Sequence, residues 1–385
     1  MSLNFFKLSF SPRWAIFLAL LLTAFGLYLR FYNIAGSFGY GWDHGRDAWK
    51  VRNLLYRQLP LEGPRTGIGH FHLGPLYYYL LAPFYSLTDF DPIASQYFNF
   101  VVNIFTFGVV YYVFAKIFHP RIGLFALALY AFNHYIIKQN IIPWNVSLLP
   151  AVSFLIFYSL YQLYQSRWRY AYLLAFLCGL FFHIHLTTIF ILPIVCISLL
   201  PLLRQRKFFR TAILASPIFF IFLAPTILFN LNTNGSEQLR MHKFIQEYTH
   251  PFYFRFLLYR SQEALLVLRE LLFFNTLKPL ALALLVLTYI RAFFSRQPSP
   301  FKLLAALTIP WFLLPLLGFT LYRGPTSDYY YLLTLPAVFM LIILATILLL
   351  RTHRYISIPF AIFFSILRIL KHQHVLAKTL RSRFE

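Results

Sequence analysis

Long apolar runs broken by short polar stretches dominate the chain. A helix rises about 1.5 Å per residue and the bilayer hydrocarbon is about 30 Å thick, so a crossing helix needs roughly 17 to 25 mostly apolar residues. On that measure the pattern predicts spans over residues 14–32, 98–118, 121–139, 141–163, 170–185, 186–203, 211–230, 278–294, 302–321 and 329–350. The stretch 170–203 is divided because a single helix would be about 51 Å long, far beyond the hydrocarbon thickness. Two short spans turning near His183-Ile184-His185 fit the membrane. The expected fold class is all-α, a polytopic transmembrane helix bundle of about ten spans with two outward-facing loops carrying interfacial helices.

Charge orients the bundle. With the N-terminus in the cytoplasm, Lys116 and Arg121, Arg167 and Arg169, Arg204, Arg206, Lys207 and Arg210, Arg291, Arg296 and Lys302, and Arg351 and Arg354 all fall in inside loops, as the positive-inside rule requires. Two long segments remain outside, residues 33–97 and 231–277. In the first, 75–87 is apolar and aromatic but too short to cross, and Pro75 and Pro83 interrupt it, so an interfacial position is expected. In the second, the run from Ser261 reads as an amphipathic helix on the membrane, roofing the first loop. The basic tail 355–385 is expected in the cytoplasm, with an interfacial helix over 355–370. Lys7 and Arg13 precede an apolar run as in a signal peptide, but no small-residue cleavage site follows, so an uncleaved first span is expected. Without linkers or repeats, 1–385 reads as one integral membrane domain.

Composition agrees: 59% of the residues are hydrophobic and 12% charged, and mean hydropathy is +0.65, which a water-soluble globular chain does not reach. The net charge of +23 would suggest nucleic acid in a soluble protein. Here the cations lie between spans, so topology and anionic lipid headgroups explain them and no nucleic-acid partner is expected. The 27 Tyr and 46 Phe suit aromatic belts and contact with long lipid chains. Cys178 and Cys196 sit inside apolar runs, which argues against a disulfide framework or a metal cluster.

Candidate chemistry concentrates in polar groups outside the basic loops, because a charge in lipid is costly. Asp43 and Asp47, with His44 and Arg46 between them, are spaced i, i+4; on a helix both carboxylates share one face near the outer surface. A second reading has either aspartate capping a helix that starts near Ala48. Further along, Gly63, Gly67, Gly69 and Gly74 alternate with Arg65, His70 and His72. Such a loop exposes backbone N–H groups and cations suited to phosphate. Lys138, Asn140, Trp144 and Asn145 gather at the outer end of the third and fourth spans, His183 and His185 at the next outer turn, and Arg323 before the last span. Any one of these could serve only an interhelical hydrogen bond, but Lys138 and Arg323 at that depth call for an anionic partner. His183 and His185 at i, i+2 are poorly spaced for one metal, and no metal site is expected.

Together, Trp42-Asp43, the Gly74-Pro75-Leu76-Tyr77-Tyr78-Tyr79 run after the glycine-rich stretch, Pro143-Trp144-Asn145 and the Tyr-rich start of the last span resemble the GT-C glycosyltransferases. Within these the similarity is to the dolichyl-phosphate-mannose-protein mannosyltransferase and aminoarabinose-transferase-like branch, and it is sharpest over residues 40–80. The resemblance implies a GT-C-like fold and transfer of a sugar from a polyprenyl-phosphate donor, undecaprenyl or dolichyl, to a protein, lipid or glycan acceptor. It makes Asp43 the catalytic base. Many members have Asp-Glu at this motif; here His44 follows the aspartate, so a second carboxylate comes from Asp47 or not at all, with Asp47 supporting the base or helping to position a cation. Arg46, Arg65, His70, His72, Lys138 and Arg323 are then the candidate contacts for donor phosphate, and His44, Asn140, Trp144, Asn145, His183 and His185 those for the acceptor or sugar pocket. A single displacement would invert the sugar carbon. A divalent cation is compatible with the site but not required where Arg and Lys neutralise the phosphate. The expected location is a prokaryotic plasma membrane, multi-pass, with the site on its outer face. A transporter or lipid flippase is the competing class, since polar groups in a membrane also mark substrate pathways.

Overall fold

In a computed structural model, residues 12–34, 36, 40–56, 58–249, 251–271, 290 and 299–352 are described. Among them the chain is helical, and strand-like pairing is limited to the isolated bridges Arg65 to His72 and Thr249 to Tyr322. The helices are α1 Pro12–Phe31, α2 Trp42–Leu55, α3 Leu76–Leu87, α4 Ala94–Ile117, α5 Pro120–Phe132, α6 His134–Asn140, α7 Leu149–Tyr164, α8 Tyr170–Ile184, α9 Ile191–Leu199, α10 Arg206–Asn232, α11 Ser236–Tyr248, α12 Phe254–Leu271, α13 Ser299–Thr320 and α14 Leu335–Thr352. Among the described residues, six helical stretches are long and apolar enough to cross a membrane: 13–31, 94–117, 145–164, 206–232, 300–320 and 328–347. Three shorter apolar stretches, 120–132, 170–184 and 186–202, accompany them. The predicted division of 170–203 is present, with His185 extended between its two halves. Apart from residue 290, the span expected at 278–294 lies outside the described residues, as does the helix expected at 355–370.

Two predicted spans start or break differently. The expected helix 121–139 is interrupted at Asn133, whose φ of −72° and ψ of 118° are extended and whose Oδ1 caps α6 by accepting the Ile136 N–H at 3.0 Å. The carbonyls that this break strips from the end of α5 are met by Arg30 of α1. Its guanidinium donates to Tyr130 O and Ala131 O at 3.0 Å each, to Gly26 O at 2.8 Å and to Asn140 Oδ1 at 3.2 Å. A cation at the negative end of a helix dipole is favourable, and Phe107 and Tyr130 flank it with their ring faces. The expected span 141–163 becomes regular α-helix only at Leu149, after a turn and a short 3₁₀ segment, Asn145–Leu148.

The core lies along α7 and α14, which the other spans surround. By contrast α1 and α10 present most of their apolar length outward, as lipid-facing helices do. Short turns at 118–119, 165–169 and 203–205 bring the basic clusters to one end of the bundle. The opposite end carries α2, α3, α11, α12 and the turns at 141–148 and 185.

The two loops at that end are stapled together. Glu237 of α11 accepts the His72 N–H at 2.7 Å, and Phe244 packs edge-on against Phe71. Arg260 of α12 is buried and donates to the carbonyls of Phe319, Tyr322 and Gly324 and to Glu263 and Thr326, which fixes the segment ahead of the last span. The second loop thus meets the first through α11, whereas the run from Ser261, expected as the roof, lies in α12, whose Arg260 holds the segment ahead of the last span.

Candidate active site

Helix α2 begins at Trp42 and not near Ala48. Gly41 is its extended N-cap, and His44 Nδ1 accepts the Gly41 N–H at 2.9 Å. Neither aspartate caps the helix: Asp43 stands in its first turn and Asp47 one turn later, on a shared face. Arg46 is clamped between them, with Nη1 2.8 Å from Asp43 Oδ1, and Nε and Nη2 2.8 and 2.7 Å from Asp47 Oδ1. Tyr78 of α3 donates its hydroxyl to the same Asp47 oxygen at 3.2 Å.

The carboxylates differ in environment. Asp47 is 4% exposed, whereas the Asp43 side chain is 66% exposed. Burial pushes the Asp47 carboxyl up to about 6, against the opposing pull of Arg46 and Tyr78. Burial also holds the His44 imidazole below its ordinary range, with Asp43 opposing. One end of the chain Tyr78, Asp47, Arg46, Asp43 is therefore buried, and the other is an open carboxylate at the positive end of a helix.

Around Asp43 the structure gathers several of the sequence-selected groups. His44 interacts with the backbone of Pro143, which brings α2 against the turn carrying Trp144. The Trp144 ring lies 4.5 Å from the Tyr329 ring, the His185 ring lies 5.4 Å from Tyr329 and from Tyr330, and the Asp43 charge acts on the Tyr329 hydroxyl. Lys138 Nζ is 3.2 Å from Asp328 Oδ2, one residue before Tyr329.

The glycine-rich stretch forms a hairpin. Gly63 N–H donates to Leu73 O at 2.7 Å, Leu73 N–H to Pro64 O at 3.0 Å and Thr66 N–H to Phe71 O at 2.9 Å. At its tip Gly69 and His70 have φ of +78° and +55°; Gly takes this conformation at little cost and His does not. Gly74 approaches His183 so closely that a Cβ would run into the imidazole. Arg46 Nη1 reaches the Arg65 carbonyl at 3.3 Å, joining hairpin and carboxylates. The Arg65 and His70 side chains are exposed here.

Other sequence-selected residues are engaged with the protein. His72 holds Glu237 through its N–H and its ring, with Nδ1 3.2 Å from Oε1, and burial lowers its pKa despite that carboxylate. His183 is buried; its Nδ1 accepts the Leu76 N–H at 3.2 Å and Nε2 donates to Phe222 O at 2.8 Å, tying α3, α8 and α10 together. Asn140 receives Arg30, and Asn145 donates to the Ile184 carbonyl. Arg323 is exposed and anchored by its backbone N–H on Tyr248 O at 2.8 Å.

Arg30 is a structural anchor outside the sequence-selected residues, and Tyr78 and Tyr329, part of the tyrosine runs that carry the resemblance, were not singled out as site residues. Arg30 carried a signal, a charge at the end of an apolar run. Tyr78 and Tyr329 each sit in a run of three tyrosines that no periodicity separates.

Among the described residues no group of three or more His, Cys, Asp or Glu side chains gathers as metal ligands. Asp43 and Asp47 share Arg46, and Glu237 pairs with Arg240 as well as His72, so a cation would have to displace an arginine from either pair.

These features define an integral membrane protein with an all-α bundle and a carboxylate site in its first long loop. Residues 72–229, somewhat less than half of the chain, match the sequence model of the dolichyl-phosphate-mannose-protein mannosyltransferase family. The fold is similar to that of ArnT from Cupriavidus metallidurans bound to undecaprenyl phosphate, with TM-score 0.59 and 14% identity over 88% of this chain and 60% of that one. Apo ArnT matches with TM-score 0.60 and 15% identity, over 86% and 60%. The Archaeoglobus fulgidus oligosaccharyltransferase, in complex with Zn and sulfate, follows with TM-score 0.51 and 13% identity over 91% and 51%. The chain thus spans about three fifths of the length of ArnT and about half that of the oligosaccharyltransferase. No curated protein sequence matches it. The resemblance to the GT-C glycosyltransferases stands on both the sequence match and the fold.

Proposed function

We propose that the protein is a membrane glycosyltransferase that moves a sugar from a polyprenyl-phosphate donor to an acceptor hydroxyl at the outer face of a prokaryotic plasma membrane, inverting the sugar carbon. The observation that carries this reading is the exposed Asp43 carboxylate, oriented through Arg46 by buried Asp47 and Tyr78. Asp43 takes the proton of the acceptor hydroxyl as its oxygen attacks the anomeric carbon and the lipid phosphate departs. Asp47 is a positioning residue: it holds Arg46, which holds Asp43. Lys138, Arg65 and Arg323 are solvent-accessible cations for the departing phosphate. Trp144, His185 and His44 offer a half-buried wall for a sugar ring. Undecaprenyl phosphate in the ArnT structure supports the donor class.

Purified protein in liposomes, given labelled polyprenyl-phosphate sugars, tests the proposal. Asp43→Asn should lower transfer by about 10²- to 10⁴-fold, the usual contribution of a general base, while donor binding persists. Lipid movement by the wild type without sugar transfer in any assay would establish the transporter class instead.

A further inference from the structure

We propose that Asp328 occupies, in the substrate-free protein, the place of the donor's phosphate, so that an arriving polyprenyl phosphate displaces it from Lys138. The inference rests on the glycosyltransferase reading and adds a residue that sets donor affinity. The Lys138 to Asp328 contact of 3.2 Å is the ion pair Lys138 makes among the described residues, and the two side chains are 64% and 41% exposed. A pair that open to water is weak, and the long lysine stem lets the ammonium follow a new anion.

Asp328 does not need Lys138 to stay in place. Its carbonyl accepts the Tyr135 hydroxyl at 2.5 Å and its Oδ1 accepts the Tyr329 N–H at 3.0 Å, which leaves Oδ2 alone on the lysine. The fold thus holds a carboxylate oxygen on this cation with anchors that are independent of it. The pair adjoins Tyr329, whose hydroxyl feels the Asp43 charge and whose ring faces Trp144 and His185. A phosphate taking over Lys138 would put a sugar beside that wall, and Asp328, released, would keep a negative charge nearby that favours departure of the product lipid phosphate.

Asp328→Asn removes the charge and keeps the oxygen that receives Tyr329 N–H. Binding of undecaprenyl phosphate to the full chain in nanodiscs is measured for wild type, Asp328→Asn, Lys138→Met and the double variant, with undecaprenol and inorganic phosphate as parallel probes. The expected result is about two- to fivefold tighter binding for Asp328→Asn, the scale of an exposed ion pair. Weaker binding is expected for Lys138→Met, and no gain from Asp328→Asn in the Lys138→Met background. Undecaprenol should bind all four alike. Unchanged or weaker binding by Asp328→Asn, with the wild type binding the probe, would overturn this proposal alone, as would a gain that persists without Lys138 or one confined to inorganic phosphate. Failure of the wild type to bind undecaprenyl phosphate at all would overturn it together with the donor class.

Discussion

Asp43 and Asp47 are the same side chain one helical turn apart, yet burial makes them different acids. Because burial pushes the Asp47 carboxyl from 3.8 up to about 6, the folded protein binds this proton more tightly than the unfolded chain does. That contribution to stability is fully present below the ordinary carboxylate value and disappears as pH rises through about 6. Function has the opposite sign, since only ionised Asp47 holds Arg46 as an ion pair. Sugar transfer is therefore expected to fall as pH drops through about 6, and Asp47→Asn should flatten that limb of the kcat/KM profile while lowering its plateau. A profile with the same midpoint in Asp47→Asn would remove Asp47 from the positioning role. At Tyr78 the loss is smaller: Tyr78→Phe deletes one hydrogen bond to a carboxylate, a change of about 1.5–3 kcal/mol, and should shift the Asp47 limb to higher pH.

At the scale of elements, the two breaks in predicted helices are where the bundle is held together. The α5 to α6 break at Asn133 exposes carbonyls that Arg30 reaches from a helix a hundred residues earlier in the chain. Arg30→Met leaves those carbonyls and Asn140 Oδ1 without this donor inside the bundle, at about 1–3 kcal/mol for each unsatisfied group. A drop of several degrees in Tm in detergent is expected, with Arg30→Lys intermediate because an ammonium cannot span all four acceptors. The hairpin 63–74 and α11 are joined by the Glu237 carboxylate on the His72 backbone and ring. Glu237→Ala should raise the rate of proteolysis within the hairpin and weaken donor binding, whereas Glu237→Gln, which keeps an acceptor, should do less. Equal cleavage rates in all three proteins would show that the staple is dispensable. The presence of these helices was legible from apolar run length, and the division of 170–203 from the thickness of a bilayer. The break at Asn133 was not, because Asn133-His134 reads as the polar outer end of a span; the carbonyls at the end of α5 and the arginine that meets them reveal it.

For the whole molecule, the alternation of helices gathers the basic clusters at one end and the candidate site at the other. The orientation in the membrane is expected to follow the positive-inside rule. With Cys178 and Cys196 replaced by Ala, Arg65→Cys should react with an impermeant thiol reagent in intact cells, and Arg167→Cys only after permeabilisation. The reverse result would invert the topology and move the site to the cytoplasm.

The sequence by itself determined that the chain lives in lipid, the position of most spans, and the concentration of Asp43, Asp47, Arg46 and Lys138 near one surface, because hydropathy and charge act through local windows that a linear reading can see. It left open whether Asp43 and Asp47 were a cap or a pair. Tertiary structure decided that, through Gly41 as the N-cap, Arg46 between the carboxylates and Tyr78 arriving from the next helix. It also decided which polar groups face outward and which are already engaged: His72 on Glu237, His183 between three helices, Asn140 on Arg30. These are contacts between residues up to 165 positions apart. Hydrogen-bond satisfaction in a medium without water selects such partners in three dimensions, and no spacing along the chain encodes them.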